Sequence, residues 1–265
     1  MTSPTTIFIT GANTGLGLYT VKALYRSPKA YTILLGARDL KKAAAAIEEV
    51  KSEHGGSKSS IESVQIDIED DASIARAYDT ISSKYGKIDV LLNNAGAQLD
   101  QQVPLGNLNV REMWNKSWNV NVTGTYILTA TFAPLLIKSS EPRLLFITSG
   151  TSTLTEHDNP ALAINKSPAK GWPKQEFQLA AYRSSKTGMN MMVREWHRML
   201  KEDGVKVFAV SPGQLATGLG GNPELMKKMG ALDPNIGAEL IRNVIEGGRD
   251  GDVGKVVRKD NVQPW

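Results

Sequence analysis

The sequence has 265 residues, 41% of them hydrophobic and 22% charged, which fits one large globular domain or two small ones. Its 31 basic residues are scattered among 27 acidic ones for a net charge of +4, so no basic block points to a nucleic acid or an anionic membrane as partner. The absence of cysteine excludes disulfides, thiolate metal sites and a catalytic thiol, and His54, His157 and His197 show no metal-ligand spacing, so no metal is expected.

Short apolar runs recur along the chain: 7–9, 33–35, 64–66, 90–92, 144–147, 207–210 and a weaker one at 254–257. Continuously apolar strands are buried on both faces, and helical stretches such as 40–50 and 72–84 lie between them. Strands alternating with helices predict right-handed crossovers and an α/β fold with a doubly wound parallel sheet of about seven strands. No repeat or linker divides residues 1–265, so one domain is expected. No apolar run approaches the about 18–20 residues a membrane span needs, and residues 1–6 lack the basic start of a secretory leader. A cytoplasmic protein is therefore expected.

Two stretches break the rhythm. Residues 153–180 hold Pro160, Pro168, Pro173 and Trp172, and residues 213–234 are rich in glycine, methionine and leucine. Each follows a strand, and loops at the carboxyl ends of parallel strands face the ligand crevice, so both are candidate substrate loops or lids. Trp172 is expected to anchor the first one.

The first strand runs into Thr10-Gly11-Ala12-Asn13-Thr14-Gly15-Leu16-Gly17 and then a helix. Glycines let the backbone approach a pyrophosphate, and the helix N-terminus supplies N–H donors and a positive dipole end. A turn that merely packs helix on strand is the competing explanation. After the second strand, Arg38 stands where a guanidinium would pair with the 2′-phosphate of NADP(H), whereas an acid there would select NAD(H). The acid of this sequence, Asp39, comes one step later, at an expected helix start where it could serve as an N-cap. NADP(H) is the expected cofactor.

Tyr182 and Lys186 are four positions apart in a helical stretch, so both lie on one face, one turn apart. A cation near a phenol favours the phenolate, which would lower the tyrosine pKa from its usual value near ~10. With the glycine turn, and with Ser149 at the end of an apolar strand, the pair points to an enzyme that moves a hydride. Thr148 and Ser152 flank Ser149 and leave its register open by sequence alone.

These motifs in this order resemble the short-chain dehydrogenase/reductase family, over nearly the whole chain. The family's T-G-x-x-x-G-x-G turn matches residues 10–17, its adenine-contacting acid matches Asp67 beside Ile68, and its N-N-A-G segment matches Asn93 to Gly96. Its active-site asparagine, followed by x-x-G, matches Asn121, with Asn119 as an alternative; its serine matches Ser149; its Y-x-x-x-K pair matches Tyr182 and Lys186. The P-G-x-x-x-T turn under the nicotinamide matches Pro212, Gly213 and Thr217.

The resemblance implies a Rossmann-type fold and a catalytic set of Asn121, Ser149, Tyr182 and Lys186. Ser149 would bind the substrate oxygen, Tyr182 would exchange the proton, and Lys186 would lower the tyrosine pKa and hold the ribose. Asn121 would anchor a water. The implied cofactor site comprises Gly11, Asn13, Thr14, Gly15, Leu16, Gly17, Arg38, Asp67, Ile68, Asn94, Ala95 and Gly96, together with Tyr182, Lys186, Pro212, Gly213, Leu215 and Thr217. The expected activity is NADPH-dependent interconversion of a ketone or aldehyde and an alcohol, on a small-molecule substrate of bulky, apolar character. An epimerase, dehydratase or isomerase on the same fold, or a non-catalytic NADP(H) sensor, stays open as an alternative. The stretch between Ser149 and Tyr182 resembles the insertion of monomeric carbonyl reductases in the family, which leaves monomer and homo-oligomer both open.

Overall fold

All but one of the strands run the same way, and their carboxyl ends gather at one edge of the molecule. The structure, a computed structural model, describes residues 4–174 and 178–265. Its strands are β1 (Thr5–Ile9), β2 (Tyr31–Ala37), β3 (Ser60–Gln65), β4 (Val90–Asn93), β5 (Arg143–Ile147), β6 (Lys206–Val210), β7 (Val256–Val257) and β8 (Val262–Gln263). They form one sheet in the order β3-β2-β1-β4-β5-β6-β7-β8, parallel except for β8, which pairs antiparallel with β7. The short eighth strand adds to the seven expected. The chain reverses direction across the sheet between β1 and β4, which pair from Ile7 with Val90 to Ile9 with Leu92. In such sheets the ligand crevice opens at that switch point.

The helices are α1 (Gly15–Tyr25), α2 (Leu40–Glu53), α3 (Asp71–Tyr85), α4 (Val110–Trp118), α5 (Thr125–Leu136), α6 (Ala180–Leu200), α7 (Pro223–Lys228) and α8 (Pro234–Ile245). Local sequence explains their ends. Asp39 accepts the Lys41 and Lys42 N–H groups at 2.8 and 3.2 Å to start α2, and Asn109 with Glu112 forms a reciprocal capping box on α4. Asp233 caps α8 and Pro234 occupies its first position, where a missing N–H costs nothing. Among the described residues no helix is long and apolar enough to cross a membrane.

Alternation along the strands divides the core in two. Ile7 and Ile9 of β1 face one layer with Val21, Leu24, Val50, Ile241 and Val244, while Phe8 faces the other with Ile74, Ile81, Phe132, Val193 and Trp196. The sheet is thus covered on both faces, by α1, α2 and α8 on one side and α3, α5 and α6 on the other, the Rossmann-type arrangement expected from the uninterrupted apolar strands.

At the amino end of β5 the buried Arg143 donates to the Val244 carbonyl and pairs with both carboxylate oxygens of Asp250, the second at 3.0 Å. Lys206 joins at 2.6 Å. The Arg143 guanidinium, followed by Lys206, holds the Asp250 carboxyl down at about 2. An acid whose pKa is lowered by folding adds stability above its unfolded value near ~3.9, and loses it as pH falls through the folded value. Asp250→Asn leaves Arg143 buried without its anion, so thermal or urea unfolding at neutral pH should show a loss of about 1–3 kcal/mol. The deficit should shrink below about pH 3.

Candidate active site

The glycine turn and the Asn93–Gly96 segment meet above the gap between β1 and β4. Thr10 N–H donates to the Leu92 carbonyl at 3.1 Å, and Thr10 Oγ1 accepts the N–H groups of Asn94 and Ala95, each at 3.1 Å. Asn94 Nδ2 reaches back to the Thr10 and Gly11 carbonyls at 2.8 and 3.0 Å. Gly11 adopts φ +61°, and a Cβ there would stand 3.0 Å from Ala95 Cα; at Gly17 it would strike the Gly11 carbonyl and Ala12. The close approach of turn to segment therefore needs those hydrogens.

Asn121 lies in a wide π-helical turn, Asn119–Gly124, that joins α4 to α5. Turns of this kind aim side chains that a regular helix would misdirect. Fully buried, Asn121 accepts the Ala97 N–H at 2.9 Å and donates to the Ala97 carbonyl at 2.8 Å and to Ser185 Oγ at 3.0 Å. Asn119, the alternative, instead points outward and donates to Glu69 at 3.1 Å. Gly124 packs on the Ile68 carbonyl so closely that no Cβ would fit.

Beyond β5, Thr148 and Ser152 are committed to a buried network. Thr148 Oγ1 donates to Asn190 at 2.6 Å, Asn190 donates to Ser152 Oγ at 3.0 Å, and Ser152 Oγ donates to the Ser149 carbonyl at 2.6 Å. Gln263 of β8, itself buried, donates to that same carbonyl at 3.1 Å. Ser149 is thereby held from behind while its half-buried hydroxyl faces the site and accepts the Thr151 N–H at 3.1 Å.

Tyr182 and Lys186 share the inward face of α6 and both are buried. Lys186 Nζ lies 6.0 Å from the Tyr182 ring centroid, donates to the Ile147 carbonyl at 2.7 Å, and would be 3.3 Å from a Cβ on Gly96. The expected lowering of the tyrosine by the lysine does not hold here. Burial raises the Tyr182 phenol above its usual value and the Asp100 carboxylate adds to that, with the Ser149 hydroxyl alone pulling it down. Burial also drives Lys186 down to about 7. An ammonium weakened by burial and turned toward a backbone carbonyl is a poor stabiliser of a phenolate, and spacing in the sequence does not report burial.

The segment following Ser149 has two short 3-10 turns, Thr155–Asp158 and Ala163–Asn165. Arg183 ties it to α6, donating to the Thr151 and Ile164 carbonyls at 3.0 and 3.3 Å and to Asn165 at 2.8 Å. Beneath it a cavity of about 820 Å³ is lined by Trp118, Leu154, Ile164, Arg183, Ser184 and Gly188. By the helical period Ser184 and Gly188 lie on the side of α6 away from Tyr182. Trp172 is 87% exposed and does not anchor the segment; its neighbours up to Lys174 are mostly exposed too, so among the described residues the indole is not buried against an apolar surface. Residues 175–177 of this stretch lie outside the described residues.

The sequence profile described as "short chain dehydrogenase" matches residues 5–167 and 164–227. The chain belongs to the short-chain dehydrogenase/reductase family. It is 48% identical to the short-chain dehydrogenase/reductase eupG of Phoma sp, over 97% of this chain and 96% of that one. It is 43% identical to the short-chain dehydrogenase/reductase tropE of Talaromyces stipitatus, over 98% and 97%. Its fold matches the NADPH-bound carbonyl reductase from chicken fatty liver with a TM-score of 0.79, at 21% identity and over the full length of both chains.

Short-chain dehydrogenases are oxidoreductases that use a nicotinamide cofactor, and the residues present fit one. Thr14, at the N-cap of α1, makes no side-chain cap, and the first turn carries no acid, so the helix start offers its N–H groups and dipole to an anion. A Cβ on Gly15 would be 3.7 Å from Thr217, which brings the turn after β6 against the glycine turn, while Leu16, Pro212 and Leu215 pack around Gly237 of α8. Asp67 is half-buried and accepts the Glu69 N–H at 3.0 Å. Arg38 is exposed at the end of β2, and the neighbouring Asp39 is committed to its cap. Three groups escaped the sequence reading: Asp100, Ser185 and Gln263. Each acts on a residue more than 60 positions away or through a backbone group, and neither kind of contact leaves a local signature.

A buried lysine whose pKa falls on folding has the opposite linkage to Asp250. The unfolded chain binds the proton more readily, so the destabilisation is full below about pH 7 and fades as pH rises toward the unfolded value near ~10.4. Lys186→Met should therefore unfold at a higher temperature than wild type at pH 6, with the difference closing by about pH 10. Equal melting curves at pH 6 would refute the burial of the charge.

Proposed function

We propose that this short-chain dehydrogenase reduces a ketone or aldehyde with NADPH, Tyr182 acting as the general acid. The observation that carries the reading is the meeting of Ser149, Tyr182, Lys186 and Asn121 at the crevice opened by the β1–β4 switch, beside the glycine turn. The bound cofactor supplies the hydride. Ser149 hydrogen-bonds the substrate oxygen and opposes the charge that grows there. Tyr182, kept protonated by its burial, hands its phenolic proton to that oxygen. Lys186 holds the ribose hydroxyls, and Asn121 positions the 96–97 backbone beside it. Arg38 pairs with the 2′-phosphate, while Asp39 beside it caps α2 through Oδ1.

The substrate is bulky and apolar. Leu154 after β5, and Leu219, Leu225 and Met229 after β6, are large exposed apolar side chains on the segments, α7 included, that leave the carboxyl ends of those strands. Segments 153–180 and 213–234 are accordingly the substrate loops. NADPH-bound carbonyl reductase from chicken fatty liver, which shares the fold, supports the cofactor and reaction class.

NADPH consumption against a panel of ketones, aldehydes and quinones tests the reaction. Binding of NADPH without consumption by any of them would favour a sensor or an isomerase instead. Tyr182→Phe keeps the ring and removes the proton, so turnover should fall by on the order of 10²–10⁴ while NADPH still binds; near-wild-type turnover would sink the assignment. Arg38→Ala should weaken NADPH by about 10–150-fold, the loss of one charge-assisted contact, and leave NADH almost unchanged. Wild-type protein that binds NADH as tightly as NADPH would contradict the role of Arg38.

A further inference from the structure

We propose that Asp100 is a positioning residue for the proton donor, seating the first turn of α6 and fixing a negative charge beside Tyr182. The inference rests on the reading of Tyr182 as the group that gives up the proton. Asp100 opens a short 3-10 turn, Asp100–Gln102, on the loop that leaves β4, and is only 6% exposed. Its Oδ1 accepts the Ala181 N–H at 3.0 Å and its Oδ2 accepts the Tyr182 N–H at 3.1 Å. Among the described residues these backbone donors, rather than a lysine or arginine, are what hold the carboxylate.

The first N–H groups of any helix need acceptors from outside it. Leu179, at the N-cap of α6, offers no side-chain acceptor, so a residue 81 positions away takes that task. Two bonds to consecutive N–H groups set both the height and the rotational phase at which α6 begins. The phase matters because each residue turns a helix by about 100°, and a slip of half a residue would swing the phenol away from Ser149. The anion also lies at the positive end of the helix dipole, where it is stabilising.

The same charge acts on the phenol. Around Tyr182 stand Asp100 from the loop after β4, Ser149 from the loop after β5 and Lys186 from α6 itself, with Nζ 6.0 Å from the ring centroid. Arg183 turns away to the Thr151 and Ile164 carbonyls and to Asn165. Asp100 raises the phenol pKa in addition to burial, and Ser149 lowers it. One carboxylate thus ties the placement of the donor to its protonation: the acid that seats Tyr182 also disfavours its phenolate.

Asp100→Asn keeps the size, removes the charge and can accept only one of the two N–H groups. Phenolate absorbance is titrated in wild type and in Asp100→Asn, each corrected by the matching Tyr182→Phe protein. In parallel, the pH profile of NADPH-dependent carbonyl reduction is recorded. Asp100→Asn should bind NADPH as wild type does and lose kcat by on the order of 10–100-fold with KM little changed. Its Tyr182 should ionise at lower pH than in wild type, and the alkaline limb of kcat should move the same way. Should Asp100→Asn fail to fold, Asp100→Ser, a shorter neutral acceptor, carries the same readouts. A phenolate titration that stays in place, or an unchanged kcat, overturns the proposal. Because the titration needs no turnover, a wild-type protein that reduces nothing would count against the proposed function and leave this test intact.

Discussion

A right-handed crossover between parallel strands leaves every following loop at the same edge of the sheet, and this constraint decides where chemistry can occur in the molecule. The glycine turn leaves β1, Arg38 follows β2, Asp67 follows β3, Asn94 and Asp100 follow β4, Ser149 follows β5, and Thr217 follows β6. None of these is adjacent in sequence to the next, yet the sheet order brings them to one crevice. The apolar strands that build the two core layers are therefore also the device that gathers the site. Tyr182 and Lys186 reach it from α6 and Asn121 from the turn between α4 and α5, and α6 is held in place by contacts from the loops on both sides.

That arrangement places polar groups where burial is costly. Lys186, Tyr182, Asp100, Asn121 and Ser185 are all buried, and each finds a partner in a backbone carbonyl, a backbone N–H or a neighbouring side chain. The partners are mostly main chain, which cannot rotate away as a side chain can. Low local dielectric strengthens these bonds and equally penalises any that go unmade, so the cluster is rigid when complete. The same burial that keeps the phenol protonated loosens the lysine's hold on its proton, bringing its pKa down to about 7. One cause thus drives both groups toward their neutral forms.

Much of this was legible in the sequence because it is local. The glycine turn occupies eight consecutive positions, Tyr182 and Lys186 are one helical turn apart, and the apolar runs mark the strands to within a few residues. What the sequence hides is whatever depends on depth or on distant backbone. Asp100 is an isolated acid in a loop until α6 is laid against it. Gln263 sits in a two-residue strand too short to show a period. The Tyr182 phenol is pushed up rather than down, the reverse of what spacing suggests, because desolvation outweighs the nearby lysine. Trp172 looked like an anchor by residue type, and residue type says nothing of whether a surface is there to receive it.

The wide turn at Asn119–Gly124 has an evolutionary corollary. It joins α4 and α5 into a nearly continuous rod while setting their faces out of phase, so that Met113 on one and Leu128 and Phe132 on the other can all be buried. Deleting one residue there would let regular hydrogen bonding run straight through and would twist one half of the rod about 100° against the other. Either Asn121 would leave Ala97 and Ser185, or α5 would lift its apolar stripe off the sheet. Apart from Asn121 and Gly124, a lineage can vary the amino acids of this turn, but it cannot change their number without redesigning the helix that follows.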